Sequence, residues 1–353
     1  MHEGVRSTYT PFHWCPMSHL VSLEDIREAA ARIRPLARVT PLIDVPDAHS
    51  DVAPPRPLAL KCENLQRSGA FKIRGAANML LQLPEKDRAR GVITFSSGNH
   101  GIAMALAARL LGVPAVVVMP TTAPAVKVEG VRRLGAEVIF EGTTTLERKA
   151  RTDAEAAARG MAIVPPFDHA WIVAGQGTIG LEILEQAPEV SAVYVPCSGG
   201  GLLAGVSTAI KRLAPQVRVI GVEPSGAPRM SRSLAAGSPV TLDHVSGIAD
   251  GLLAVRPGDI TFRHIQTHVD EIVAVDDGAI ADAVRWVFEH ARLVAEPSGA
   301  ATVAAVLARA EATWSRDGQT ASRLGNGPVV ALISGGNVSA AAFGQFISPP
   351  RPA

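Results

Sequence analysis

Short runs of Val, Ile, Ala and Leu punctuate the chain, and between them apolar residues return every three or four positions. The runs predict strands at 58–62, 91–95, 115–119, 137–140, 192–197, 217–222, 271–275 and 329–333, because unbroken apolar stretches of this length suit a strand buried on both faces. Helical spacing predicts helices such as 101–111 and 280–291. Near the start, Ser22-Leu23-Glu24-Asp25 resembles a capping box with Asp in the fourth place, and Ile26, Ala29, Ala30 and Ile33 follow at helical spacing. Continuous apolar strands joined by crossover helices predict an α/β fold of mainly parallel sheets flanked by helices. Sheets of this kind bind ligands in loops at the carboxyl ends of their strands, so chemistry belongs at the strand-to-helix junctions.

Composition narrows the classes. A length of 353 residues suggests two domains, at roughly 150 residues each. Lys plus Arg is 34 and Asp plus Glu is 33, so the net charge of 34 − 33 = +1 gives no general pull toward nucleic acid or an anionic membrane. Hydrophobic residues make up 47%, enough for a large core and too many for a disordered chain. The first twenty residues read as a tail without a signal peptide's apolar stretch, and 101–119 is broken by Arg109 and Pro114. Three Cys (Cys15, Cys62, Cys197), with no C-x-x-C pair, argue against a disulfide scaffold or structural zinc and fit a reducing cytoplasm. The clearest breaks are Pro54-Pro55-Arg56-Pro57 and Pro165-Pro166.

Four junctions stand out. In Ser68-Gly69-Ala70-Phe71-Lys72-Ile73-Arg74-Gly75-Ala76 a lysine opens a helix; it is either a solvated charge or, among apolar groups, an amine fit for a Schiff base. Ser96-Ser97-Gly98-Asn99-His100-Gly101 follows a strand and opens a helix, so its N–H groups suit a carboxylate or phosphate, or Ser97 or Asn99 is simply the cap. Cys197-Ser198-Gly199-Gly200-Gly201-Leu202 removes side chains where backbone can wrap a phosphate. That segment also fits a dinucleotide fingerprint, with Gly199, Gly201 and Ala204 in register and Glu223 at the end of the next strand, which leaves a nicotinamide-dependent oxidoreductase open. Ser334-Gly335-Gly336-Asn337 alone is a turn.

Together these segments resemble the fold-type II pyridoxal-phosphate enzymes, in the threonine/serine dehydratase and serine racemase branch. The resemblance runs from about Ser22 to Phe346 and includes Lys61–Gln66, Ala174–Thr178, Ala249-Asp250-Gly251 and Glu296-Pro297-Ser298-Gly299. It implies two domains: a large cofactor-binding one from 21–88 and 169–347, and a small mobile one from 89–168. It implies that Lys72 forms the Schiff base beside Phe71, that Asn99 bonds the ring's 3-oxygen, and that Ser198, Gly199, Gly200, Gly201 and Leu202 cradle the phosphate. Ser334 then faces the pyridine nitrogen. Ser96, Ser97, Asn99 and His100 hold the substrate carboxylate, with Arg148 at a substrate-carboxylate arginine's place. The implied activity is loss of water and then ammonia from L-threonine or L-serine, with amino-acid racemisation as the alternative and Ser97 as proton donor on the face opposite Lys72. A homodimer acting on a small amino acid is expected.

The sequence departs from the branch in one charged position. Racemases hold a divalent cation after the corresponding Glu-Pro, whereas here Arg229 stands where the second acid belongs in Glu223-Pro224-Ser225-Gly226-Ala227-Pro228-Arg229, so no metal is expected. Leu252-Leu253-Ala254 follows Ala249-Asp250-Gly251 where the racemases carry a polar residue near the substrate. The short run after Asn337 leaves no expected regulatory domain.

Overall fold

The computed structural model describes residues 20–45, 57–96, 98–123, 125–308, 312–316 and 327–348. The tail, Ser97 and most of the Pro54–Pro57 break lie outside them. Two sheets organise the chain. The strands are β1 (Leu42–Val45), β2 (Leu58–Cys62), β3 (Val92–Phe95), β4 (Ala115–Met119), β5 (Glu137–Phe140), β6 (Ala162–Ile163), β7 (Ala192–Pro196), β8 (Arg218–Pro224), β9 (Glu271–Val275), β10 (Ala312–Ser315) and β11 (Val329–Ile333). The larger sheet runs β1-β2-β11-β7-β8-β9-β10 and the smaller β5-β4-β3-β6. All pairings are parallel except the two edges, where β1 pairs β2 and β10 pairs β9 antiparallel.

Alternation along each strand explains the continuous apolar runs. In the large sheet Val193, Val195 and Val219 point into one core with the helices Ala170–Gln186 and Gly201–Leu213. Their neighbours Ala192, Tyr194 and Ile220 point into a second core with Asp277–Ala291 and Pro297–Leu307. The small sheet repeats this, with Val117 and Met119 on one side and Val116 and Val118 on the other. Each face thus removes apolar area from water at about 25 cal/mol per Å².

All eight strands expected from the sequence form, within two residues of the expected bounds. The three others, β1, β6 and β10, are short edge strands that stay partly exposed. At the first helix, Leu23–Ile33, Ser22 and Asp25 make the reciprocal capping box, so Asp serves in the fourth place. The helix expected at 101–111 begins at Asn99, behind an N-cap Gly98 with no side-chain cap. Asn99 is therefore not a cap.

Close helix packing fixes the third junction. A Cβ on Gly205 would collide with Val173 O and lie 2.5 Å from Gly177 N, so only glycine lets these helix backbones meet. Gly200, the N-cap of Gly201–Leu213, has φ 99°, a left-handed conformation that glycine adopts without strain.

Candidate active site

The four junctions converge on one pocket of about 640 Å³, a size suited to a small ligand. It lies at the carboxyl ends of β2, β11 and β7 from the large sheet and of β3 from the small one. Phe71, Lys72, Ser96, Asn99 and His100 line it, as do Arg148, Ser334 and the whole Ser198–Leu202 loop.

Lys72 is the N-cap of the helix Ile73–Gln82. Its Nζ donates to Pro166 O at 2.8 Å and lies 5.0 Å from the centre of the Phe71 ring. Pro166 belongs to the break read at 165–166, so that break is a pocket wall. No carboxylate among the described residues pairs with Lys72. Desolvation by the surrounding protein consequently lowers its pKa to about 8. The surface-charge alternative for this lysine does not hold.

Around it stand polar groups with defined partners. His100 is buried, and its Nε2 is 3.0 Å from Val164 O. Burial, helped by the Lys72 charge, pushes its pKa down to about 3, so the ring is neutral at ordinary pH. Ser96 Oγ accepts from Gly98 N at 3.1 Å, closing the turn ahead of the Asn99 helix. Arg148 sits in the helix Thr145–Arg159, donating to Thr143 O and Thr145 Oγ1, both at 3.1 Å. Its Nε is buried without a hydrogen-bond partner among the described residues.

The glycine loop is built from backbone. Thr261 Oγ1 donates to Gly199 O at 2.6 Å, and Ala254 N donates to Ser198 Oγ at 3.3 Å. A Cβ on Gly199 would fall 2.5 Å from the Phe167 ring, and one on Gly200 would fall 2.9 Å from Thr261. The first-turn N–H groups of Gly201–Leu213 meet no capping side chain and open on the pocket. Uncapped amides at a helix N-terminus, facing a lysine amine across a cavity, fit a phosphate-bearing aldehyde. Ser334 Oγ donates to Ser298 O at 3.3 Å instead of bonding its own backbone, so its segment is more than a turn.

Two features change the sequence reading. Glu223 is buried and accepts from Met230 N, Ser231 N and Ser231 Oγ, so its carboxylate is consumed by the helix Arg229–Ala236 and cannot reach a ribose. That overturns the nicotinamide reading of Gly199, Gly201, Ala204 and Glu223. Arg229 is buried and donates to Cys197 O at 3.1 Å and to Leu252 O, tying the start of the glycine loop to the Leu252 turn. Burial lowers its pKa against the opposing Glu223 charge, but a guanidinium stays charged.

Sequence reasoning missed several polar lining residues, among them Lys127, Asp250 and Glu296. Lys127 pairs with Asp250 across the cleft, and Glu296 accepts from Asn99 Nδ2 at 2.5 Å. Asp250 and Glu296 lie within recognised motifs, yet only the fold shows what they touch.

Known proteins agree with this geometry. The chain is 40% identical to serine racemase of Oryza sativa subsp. indica over 320 residues, covering 91% of this chain and 92% of that one. It is 41% identical to L-threonine ammonia-lyase of Thermotoga maritima over 337 residues, covering 93% and 79%. Among solved structures, maize serine racemase superposes with a TM-score of 0.85 at 38% identity, covering 93% of this chain and 97% of that one. The threonine deaminase of T.th. gives 0.81 at 39%, covering 90% and 99%. Residues 33–335, from the first helix to the turn after β11, match the family described as pyridoxal-phosphate dependent enzyme. A lysine without an acid partner, set opposite a glycine cradle, is what such a cofactor requires, and the chain belongs to that family.

Proposed function

We propose that this enzyme converts L-threonine, L-serine or both to a 2-oxo acid and ammonia. The observation that carries the reading is Lys72, an amine with a pKa near 8 held at the pocket wall opposite Ser198–Leu202. The threonine ammonia-lyase and serine racemase relatives support the substrate class. Bound pyridoxal phosphate supplies the electron sink that stabilises a carbanion at the substrate's Cα. The Ser198–Leu202 amides and the helix N-terminus behind them hold the phosphate, Asn99 the ring's 3-oxygen and Phe71 a ring face. Ser334 presents a hydroxyl to the ring nitrogen, and a neutral partner there keeps the sink modest. Ser96, Asn99, His100 and Arg148 receive the substrate carboxylate.

Lys72 takes the Cα proton, for which a pKa near neutrality is suited. The proton taken from Cα balances the one the leaving β-hydroxyl needs, so water departs, and the released enamine takes up water to give the 2-oxo acid and ammonia. The unit built on the small sheet, residues 89–168, is mobile and closes over the large unit, 21–88 and 169–347, to exclude water. The buried free thiols of Cys62 and Cys197 support a reducing cytoplasm, and we assign a homodimer. Among the described residues no helix is long and apolar enough to cross a membrane.

Racemisation is the second reading, favoured by the serine racemase relatives. It needs a proton donor on the face opposite Lys72, a role assigned to Ser97. Purified enzyme should show a visible absorption band that borohydride abolishes, and should release 2-oxo acid from L-threonine or L-serine. A colourless enzyme, or one that leaves both substrates intact, overturns the proposal. Ser97→Ala should abolish serine racemisation on chiral chromatography while L-threonine dehydration stays within about tenfold, or ~1.4 kcal/mol of barrier. Equal loss of both activities would make Ser97 a shared binding residue.

A further inference from the structure

Glu296 has no part in the reaction described above, yet its buried carboxyl lines the pocket. It is the N-cap residue of Pro297–Leu307, but its side chain does not cap that helix. Its Oε1 accepts instead from Asn99 Nδ2 at 2.5 Å, a bond spanning 197 positions of sequence. On the other side of the same amide, Asn99 Oδ1 accepts from Asn337 Nδ2 at 2.9 Å. The second hydrogen of Asn337 Nδ2 goes to Ser68 O at 2.8 Å. A carboxylate only accepts and an amide nitrogen only donates, so these two neighbours admit a single orientation of the Asn99 amide. Among the described residues one N–H of Asn99 then stays uncommitted, a donor matched to an oxyanion. The carboxyl packs tightly against the Gly335 backbone, where an added Cβ would collide with Glu296 Oε1.

We propose that Glu296 is a positioning residue: as a carboxylate it holds the Asn99 amide tightly, with an N–H toward the cofactor's phenolic oxygen, and on protonation that hold loosens. Asn337 Nδ2 keeps Asn99 Oδ1 facing it in either state, so protonation does not turn the amide but removes the charge that strengthens the Asn99–Glu296 bond. The inference rests on the assignment of Asn99 as a cofactor contact and is independent of which amino acid is turned over.

The surrounding charges place the switch in the neutral range. Burial, joined by the Asp250 charge, raises the Glu296 pKa to about 7, while the Asn99 bond and the Lys127 charge act to lower it. Asp250 and Lys127 are themselves paired. Lys72 and His100 face the same pocket, and His100 stays neutral through this range. The carboxylate, and with it the tight hold, is therefore present above about pH 7 and lost below it.

The test follows the visible absorption of the holoenzyme from about pH 6 to 8, a window centred on the shifted carboxyl. In the parent, the band should change with a midpoint near pH 7. In Glu296→Gln it should be constant across that window, because the glutamine carbonyl accepts from Asn99 at every pH. Fluorescence titration of the apoenzyme with pyridoxal phosphate should show Glu296→Ala binding about tenfold more weakly, with Glu296→Gln recovering most of the loss. A parent band constant across the window, the same midpoint in Glu296→Gln, or full affinity in Glu296→Ala would each overturn the role. If Glu296→Ala does not fold, the parent and Glu296→Gln titrations decide. A chain without any visible band would instead overturn the cofactor contact on which the inference stands.

Discussion

Lys72 and Arg74 stand two positions apart at the start of the helix Ile73–Gln82, and both carry a base into the protein interior. Their surroundings could hardly differ more. The Arg74 guanidinium donates to both oxygens of Glu63, at 2.9 and 2.7 Å, to Glu182 at 2.6 Å and to Thr178 Oγ1 at 3.0 Å. Lys61 closes the network by donating to Glu182 at 2.5 Å, and Thr40 Oγ1 donates to Glu63 at 2.6 Å. Burial alone would lower the Arg74 pKa, but Glu63 and Glu182 override it and raise it. Among the described residues Lys72 donates only to the Pro166 carbonyl and otherwise meets the Phe71 ring, and burial acts on its charge unopposed. A saturated charge is fixed and serves the scaffold, while an unpaired one is reactive. The network grips the helix two residues from the amine and so sets where Lys72 stands.

The sharpest way to break this comparison is to remove the unpaired base. Lys72→Ala should fold, lose the borohydride-sensitive band and lose nearly all turnover in a 2-oxo acid assay; near-normal activity would refute its role. Next comes the paired base. Arg74→Met leaves the buried Glu63 carboxylate without its cation, while Glu182 keeps Lys61, so thermal or denaturant unfolding should report a loss of about 3–5 kcal/mol. A melting curve like the parent's would show that the network carries no such weight. The smallest effect tests the proposal that a further buried cation, Arg229, takes a metal ion's place beside Glu223. Chelator should leave activity and melting temperature nearly unchanged, and a large loss restored by magnesium or calcium would contradict that assignment.

Legibility in the sequence follows the same division. The junctions around Lys72, Asn99, Gly199 and Ser334 were readable because glycine, a small hydroxyl or a lysine at the end of an apolar strand is locally unusual. The central strands were readable because both of their faces are buried. Strands β1, β6 and β10 were not, since short edge strands lack that apolar continuity. Glu296 went unassigned because its partner Asn99 lies in a distant segment, brought near only when the two sheets meet. The signal available was a glutamate placed just before the Pro-Ser-Gly that opens a helix. For Glu223 a plausible spacing suggested a ribose contact, and only the folded helix start showed where its lone pairs go.

The backbone contact between Gly205 and the helix bearing Val173 and Gly177 bears on how natural variation in this chain should be read. Position 205 does not line the pocket, yet it lies on the same helix as the proposed phosphate cradle and has no room for one more methyl group. A variant with alanine there must push apart two helices whose spacing sets the height of the cradle. Its signature would be weakened cofactor retention from a site that a map of ligand contacts would score as neutral. Tolerance along this helix is governed by the thickness of its neighbour, and distance from the chemistry is a poor guide to it.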